Sequence, residues 1–300
     1  MALHITNQET TNTPILTPPP ALIPPLPADY PLSGLSNDQI EMIKDFRSIH
    51  LPAVMATLTG ISCADEVEFT NDECLLRYLK ATKWNLDHSV KRLQDTLQWR
   101  REYRPTESET SPLKSHAALG GQYYSGFDKK GRPILILISR LGGSVKDYET
   151  SIRFSIYTIE KGIRLMPKGV TQLCVLVDYS GMSVFNTGYP VSVMSKFMTM
   201  LSRHYPELLG TLVVVNPSWY MPIALGLLGP FLDPVTKAKM HFASPEDNST
   251  VIKAEPGTGG WCDILDIVDA EQLPVELGGS YPFVFEAETY WKAFLEISMN

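Results

Sequence analysis

Few residues in this chain have the types and spacing that catalysis requires. Ser180 and Ser183 follow a strand-like run in "VDYSGMSVF", but Phe185 stands where the last glycine of a GxSxG nucleophile elbow belongs. "GFDKKGRP" holds two glycines at phosphate-loop spacing, Gly126 and Gly131. Arg132–Pro133 then replaces the Lys-Ser/Thr pair that such a loop needs. The chain contains no GxGxxG and no HExxH. Asp178 and Asp233 sit at a strand end and a helix start, where a carboxylate ordinarily caps backbone N–H groups. The six histidines show no metal-ligand spacing. The four cysteines, Cys63, Cys74, Cys174 and Cys262, form no CxxC pair and read as reduced thiols. Neither a metal, nor a cofactor, nor an enzyme activity is expected. A hydrolase using Ser180 or Ser183 remains as an alternative.

The feature that calls for explanation is apolar. Residues 217–232, "PSWYMPIALGLLGPFL", form a 16-residue stretch without a charge. It is too short, and too broken by Pro222 and Pro230, to cross a bilayer, which takes roughly 20 apolar residues. It ends in "DPVTKAK", a helix start followed by two lysines. Periodicity alone leaves an ordinary buried core helix open.

The 300 residues suffice for about two domains, and 44% hydrophobic with 20% charged residues is a globular composition. A net charge of −7 supplies no basic stripe for nucleic acid and no polybasic membrane patch. "MALHITNQETTNTP" lacks the basic start and apolar core of a signal peptide, so a cytoplasmic protein is expected.

The elements that must position any site divide into four. Residues 1–34, dense in proline ("TPILTPPPALIPPLPADYPL"), read as a disordered or extended wrap-around arm. Residues 35–112 read as a helical unit. "SNDQ" offers a capping box at Ser36 and Gln39, a second helix starts near Asn71, and a third follows "NLDHSV" with Val90, Leu93, Leu97 and Trp99 near one stripe. Residues 113–282 alternate. "RPILILI", "QLCVLVD" and "TLVVVN" are short unalternating runs, as in strands covered on both faces. Between them, Ile152, Ile156, Ile159 and Ile163, then Met194, Phe197, Met198 and Leu201, recur at helical spacing. The expected fold class is therefore α/β with a mainly parallel sheet. Residues 283–300 end in an amphipathic helix, "AETYWKAFLEISM".

Five segments occur in the order found in CRAL-TRIO lipid-binding proteins: "DECLLRYLKATKW" (72–84), "GFDKKGRP" (126–133), "HYPELLG" (204–210), "FLDPVTKAK" (231–239) and "LPVELGG" (273–279). Over residues 36–280 the chain resembles the fungal phosphatidylinositol transfer proteins. "RYLKATKW" and "YWKAFLE" are most similar to their pleiotropic-drug-resistance branch, which is linked to azole tolerance and sterol-rich membranes. The resemblance implies a helical unit beside a sheet-floored lipid cavity closed by a mobile gate helix. That gate falls on Trp219, Met221, Ile223, Leu225, Leu227, Leu228, Phe231 and Leu232, with Gly226 and Gly229 beside the prolines as hinge points.

The resemblance further implies that Glu207, Thr236 and Lys239 read the phosphatidylinositol headgroup, and that Tyr124, Ser183 and Phe185 occupy second headgroup positions. Phe185 stands where a small hydroxyl residue is usual, which predicts poor phosphatidylcholine binding and a second, more apolar ligand such as a sterol. Thr82 and Leu208 stand where basic residues are common. The implied activity is transfer by a monomer that touches membranes transiently at lipid droplets, endosomes or the cell periphery. The alternative is a regulatory module presenting phosphatidylinositol to a lipid kinase. Gly278–Gly279 and the "GRP" turn read as structural.

Overall fold

A computed structural model of the chain describes residues 9–107, 110–142, 146–181, 190–217, 234–244 and 257–298. The helical unit starts where the sequence places a capping box. Ser36 Oγ accepts from the Gln39 N–H, and Gln39 Oε1 accepts from the Ser36 N–H. Helix α1 (Asn37–Asp45) runs through a π turn into α2 (Leu51–Thr57). Asn71 and Asn85 then cap α3 (Asp72–Ala81) and α4 (Leu86–Tyr103) by accepting from Cys74 and His88 N–H groups. Ile43, Phe46, Leu75, Leu79, Leu93 and Leu97 meet in one buried cluster, which gives this unit its own core.

After α5 (Thr110–Ala117) comes a six-stranded sheet in sequential order: β1 (Gln122–Phe127), β2 (Pro133–Ile138), β3 (Leu173–Asp178), β4 (Leu209–Val215), β5 (Met240–Ala243) and β6 (Gly260–Trp261). β1 is antiparallel to β2 and every other pair is parallel. Helix α6 (Tyr148–Leu165) joins β2 to β3, and α7 (Val191–His204) joins β3 to β4. Right-handed crossovers that advance in one direction put both helices on the same face.

That face carries Tyr124, Leu135, Val175 and Leu212 in one register row, and Leu137, Val177 and Val214 in the next. The Tyr124 ring reaches α6, where its phenol fills the space a side chain would take at residue 162; only glycine fits there. The opposite face carries Tyr123, Ile136, Leu176 and Val213. Phe283 packs on Tyr123 from that side, ring centroids 5.5 Å apart. It belongs to a core cluster with Ile264, Val268, Leu273 and Leu277.

The two faces differ in how completely they are covered. Ile136, Leu176 and Val213 are 0% exposed, whereas Leu137, Val175, Val177 and Leu212 are only half-buried. The unalternating composition of these strands led to an expectation of equal cover on both sides. The composition is as read, and Tyr124, Leu135 and Val214 on the helix-covered face are buried as well, so the incomplete cover is confined to the other four. Helix α7 packs against α4, and its apolar residues Met194, Phe197, Met198 and Leu201 are themselves only half-buried.

Residues 9–34 lie against the body. Thr11 bridges Phe283, the Gly126 N–H donates to the Ile15 carbonyl, and Tyr281 Oη donates to the Thr13 carbonyl at 2.7 Å. Further along, Tyr30 Oη donates to Glu73 of the helical unit at 2.7 Å. A proline-rich strand has no partners of its own, so its carbonyls are free to accept from elsewhere. The last helix, α9 (Ala287–Glu296), covers the free edge of β1, where the Tyr124 N–H donates to Tyr290 Oη at 2.9 Å. Gly278 adopts φ +95°, and Gly279 lies too close to the Leu273 carbonyl to carry a side chain. Arg132 is buried and ties the β1–β2 turn to β4, through Asp128 Oδ2 at 2.6 Å and Thr211 Oγ1 at 2.8 Å.

Candidate functional site

Glu207 and Lys239 are 32 positions apart in sequence and meet at the starts of neighbouring parallel strands. Helix α7 ends at His204, Tyr205 turns inward, and Glu207 follows with φ +58°, a left-handed conformation uncommon outside glycine and asparagine. Its carbonyl accepts from Gln172 Nε2 at 3.4 Å. The next residue, Leu208, accepts from the Leu173 N–H and so leads into β4. Lys239 follows the short helix α8 (Pro234–Ala238). Its N–H donates to the Thr236 carbonyl at 3.2 Å and its carbonyl accepts from the Leu212 N–H at 2.9 Å. The result places Lys239 Nζ 3.5 Å from Glu207 Oε2.

The side chains of this pair are 22% and 34% exposed, and an ion pair so close to solvent adds little to stability. It can therefore be opened at small cost. An ammonium on one side and a carboxylate on the other suit a ligand that brings both an anion and hydroxyl donors. Thr236 lies in the short helix before Lys239, whose N–H its carbonyl accepts.

Tyr124 lies elsewhere. It is on β1, three strands from β4, roughly 14 Å at ~4.8 Å per strand. It is 1% exposed, and its hydroxyl has no hydrogen-bond partner. Burial pushes its pKa well up, so it remains a phenol. The structure therefore does not bring Tyr124 to Glu207 and Lys239. Ser183, Phe185, Asp233 and the gate residues Trp219, Met221, Ile223, Leu225, Leu227, Leu228, Phe231 and Leu232 lie outside the described residues, as do the hinge candidates Gly226 and Gly229.

The two departures from the basic pattern have local explanations. Leu208 is 7% exposed and belongs to the main core, where a cation would have no water. Thr82 closes the end of α3: its hydroxyl reaches the Tyr78 and Leu79 carbonyls at 3.2 Å and Ser89 Oγ at 2.6 Å. Asp178 accepts from the Ser180 N–H at 2.9 Å, Ser180 Oγ at 2.6 Å, Arg140 at 3.0 Å and Asn216 at 3.1 Å. This ties the ends of β2, β3 and β4 together, in keeping with a structural role for that acid. Among the described residues no histidine bonds to Ser180.

Sequence reasoning missed the buried charges behind the site. Arg100 Nη1 donates to Glu160 Oε1 at 2.6 Å, and Arg100 Nη2 donates to Asp65 Oδ2 at 2.7 Å. Tyr205 Oη donates to the same Glu160 oxygen at 2.6 Å. One signal was available. Arg100 continues the α4 stripe of Leu93 and Leu97 at spacing 4 and 3, so a charge occupies a core position.

Comparison with known proteins agrees with this architecture. The family model described as "CRAL/TRIO domain" matches residues 118–279, and "CRAL/TRIO, N-terminal domain" matches residues 60–95. A CRAL-TRIO domain-containing protein of Schizosaccharomyces pombe is 33% identical over 75% of this chain and 20% of its own length. The phosphatidylinositol transfer protein PDR17 of Saccharomyces cerevisiae is 29% identical over 73% of this chain and 60% of its own. The chain thus spans between a fifth and three fifths of these relatives. The crystal structure of Sfh5 superposes with a TM-score of 0.55 over 69% of this chain and 81% of that one, at 19% identity, which speaks for the fold alone. With a domain model covering more than half its length and the helical unit matched separately, the chain belongs to the CRAL/TRIO family.

Proposed function

We propose that the chain binds phosphatidylinositol, with Lys239 against the phosphodiester and Glu207 accepting from inositol hydroxyls, and moves that lipid between membranes. The observation that carries this reading is the Glu207–Lys239 pair, drawn together at 3.5 Å and partly exposed, beside a sheet face on which Leu137, Val175, Val177 and Leu212 are incompletely covered. Thr236, in the turn before Lys239, belongs to the same site.

The energetics require an enclosed route. A two-chain lipid crossing water would expose ~30 methylenes, on the order of 25 kcal/mol at ~0.8 kcal/mol each. A carrier avoids this by offering an apolar wall in place of the bilayer interior. Exchange is then nearly neutral and limited by opening of the protein at a membrane surface, which residues 217–232 would contact. Leu137, Val175, Val177 and Leu212 would floor the acyl chamber. Nothing in that floor requires a phosphate, which suits a sterol as the second ligand. An influence on membrane lipid composition and azole tolerance would follow from exchange of the two.

The test is vesicle-to-vesicle transfer by purified protein with no partner present. The double variant Lys239→Glu/Glu207→Ala should lose phosphatidylinositol transfer while keeping its circular dichroism and melting temperature. Transfer at the unmodified rate by that variant would refute the site.

A further inference from the structure

We propose that Tyr205 is a positioning residue for Glu207, and that the helical unit sets the geometry of the headgroup site through it. This rests on the headgroup reading above. Tyr205 and Glu207 are separated by Pro206 alone, whose ring fixes one backbone angle of the turn. Glu207 then takes its left-handed conformation, which persists only where the surroundings enforce it.

Those surroundings can be named. Tyr205 is buried and donates to Glu160 of α6. Glu160 also receives Arg100 of α4, whose guanidinium lies 4.0 Å from the Phe69 ring centroid and donates to Asp65. Burial and the adjacent Glu160 carboxylate push the Tyr205 pKa well up, so the phenol remains a donor. The end of α7 is gripped by the same unit. Arg92 donates to the Ser202 and Arg203 carbonyls, and Tyr78 Oη donates to the His204 carbonyl at 3.1 Å. The His204 ring stacks on Trp99 with centroids 4.2 Å apart, and its Nδ1 lies 3.1 Å from Thr96 Oγ1. The side chains that hold residues 202–205 thus come from α3, α4 and α6.

A core serving stability alone has no need of this chemistry, because buried ion pairs are often matched or bettered by apolar side chains of the same volume. What a hydroxyl–carboxylate–guanidinium chain adds is direction. It fixes the Tyr205 ring in one orientation, and Pro206 passes that orientation to the carboxylate two residues on.

The test is a double-mutant cycle on the full chain. Phosphatidylinositol uptake from phosphatidylcholine vesicles carrying a small fraction of phosphatidylinositol is read by mass spectrometry of the bound lipid. Tyr205→Phe removes one hydroxyl and leaves Glu160 paired with Arg100, so the fold is kept. Uptake should fall about tenfold, as for loss of a hydrogen bond to a charged group. In a Glu207→Gln background the same change should have no further effect. Arg92→Ala, at a half-exposed position, should follow the same pattern with a smaller loss. An equal loss in both backgrounds means a general structural role and overturns the proposal. So does unaltered uptake by Tyr205→Phe when Glu207→Gln impairs it. If Glu207→Gln itself leaves uptake unaltered, the headgroup assignment fails and the positioning role falls with it.

Discussion

The two faces of the sheet are built from the same residue types and finished differently. On one, Ile136, Leu176 and Val213 are sealed, and Phe283 packs on Tyr123 in the same register row. On the other, Tyr124, Leu135 and Val214 are buried too, but Leu137, Val175, Val177 and Leu212 are left half-buried, although they are as apolar as their neighbours. Packing for stability alone would close both sides, since each buried methylene contributes about 0.8 kcal/mol. Under the proposed carrier function, one face would hold the fold and the other would keep apolar room.

The sharpest way to break this comparison is a matched pair of truncations on adjacent residues of β3. Leu176→Ala on the sealed face should cost about 3 kcal/mol, with a cavity left behind. Val177→Ala on the other face should cost about 1 kcal/mol or less in lipid-free protein. Urea denaturation of both variants decides it, and equal losses would mean that the faces are equivalent. A change in the opposite sense sharpens the point. Val177→Trp should be tolerated in thermal melts yet cut lipid loading several-fold, because the ring takes up room meant for a ligand. The same enlargement at Val213 should unfold the protein by overpacking.

The smallest effect concerns acidity. On the sealed side Ile136, Leu176 and Val213 carry no titratable group. Helix α7, on the other side, ends in His204, whose pKa is lowered to about 4 by burial, with Arg203 and Arg92 adding to the shift. A base whose pKa is depressed on folding binds more protons when unfolded. Stability should therefore fall as pH drops from about 6.5 towards 4 and level off below. His204→Phe keeps a ring to stack on Trp99 and should remove that dependence from denaturation curves taken across the range.

Much of the scaffold was legible in sequence because it is local. A capping box at Ser36, Asn caps at Asn71 and Asn85, and three β-rich runs are written into neighbouring residues. The strands that escaped are those whose identity depends on partners. β1, "QYYSGF", is an edge strand rich in aromatics, and β5 and β6 are four and two residues long. At the site, the family resemblance supplied Glu207, Thr236 and Lys239, of which the structure brings Glu207 and Lys239 within 3.5 Å. The positive φ of Glu207 has no counterpart in residue type, because the surrounding packing enforces it. The Arg100–Glu160–Tyr205 chain joins residues 60 and 45 positions apart, beyond the reach of any periodicity. Arg100 alone was visible, as a charge at a core position.

The docking of the arm has a consequence for synthesis. Tyr281 and Thr13 are 268 positions apart, so their hydrogen bond must await the synthesis of everything between them. During translation the helical unit and the first strands can form while residues 9–16 hang free. Phe283, which will pack on Tyr123, has yet to emerge at that stage. The nascent chain therefore carries an uncovered Tyr123 and its apolar neighbours until residue 283 is made, the interval in which a ribosome-associated chaperone would find them.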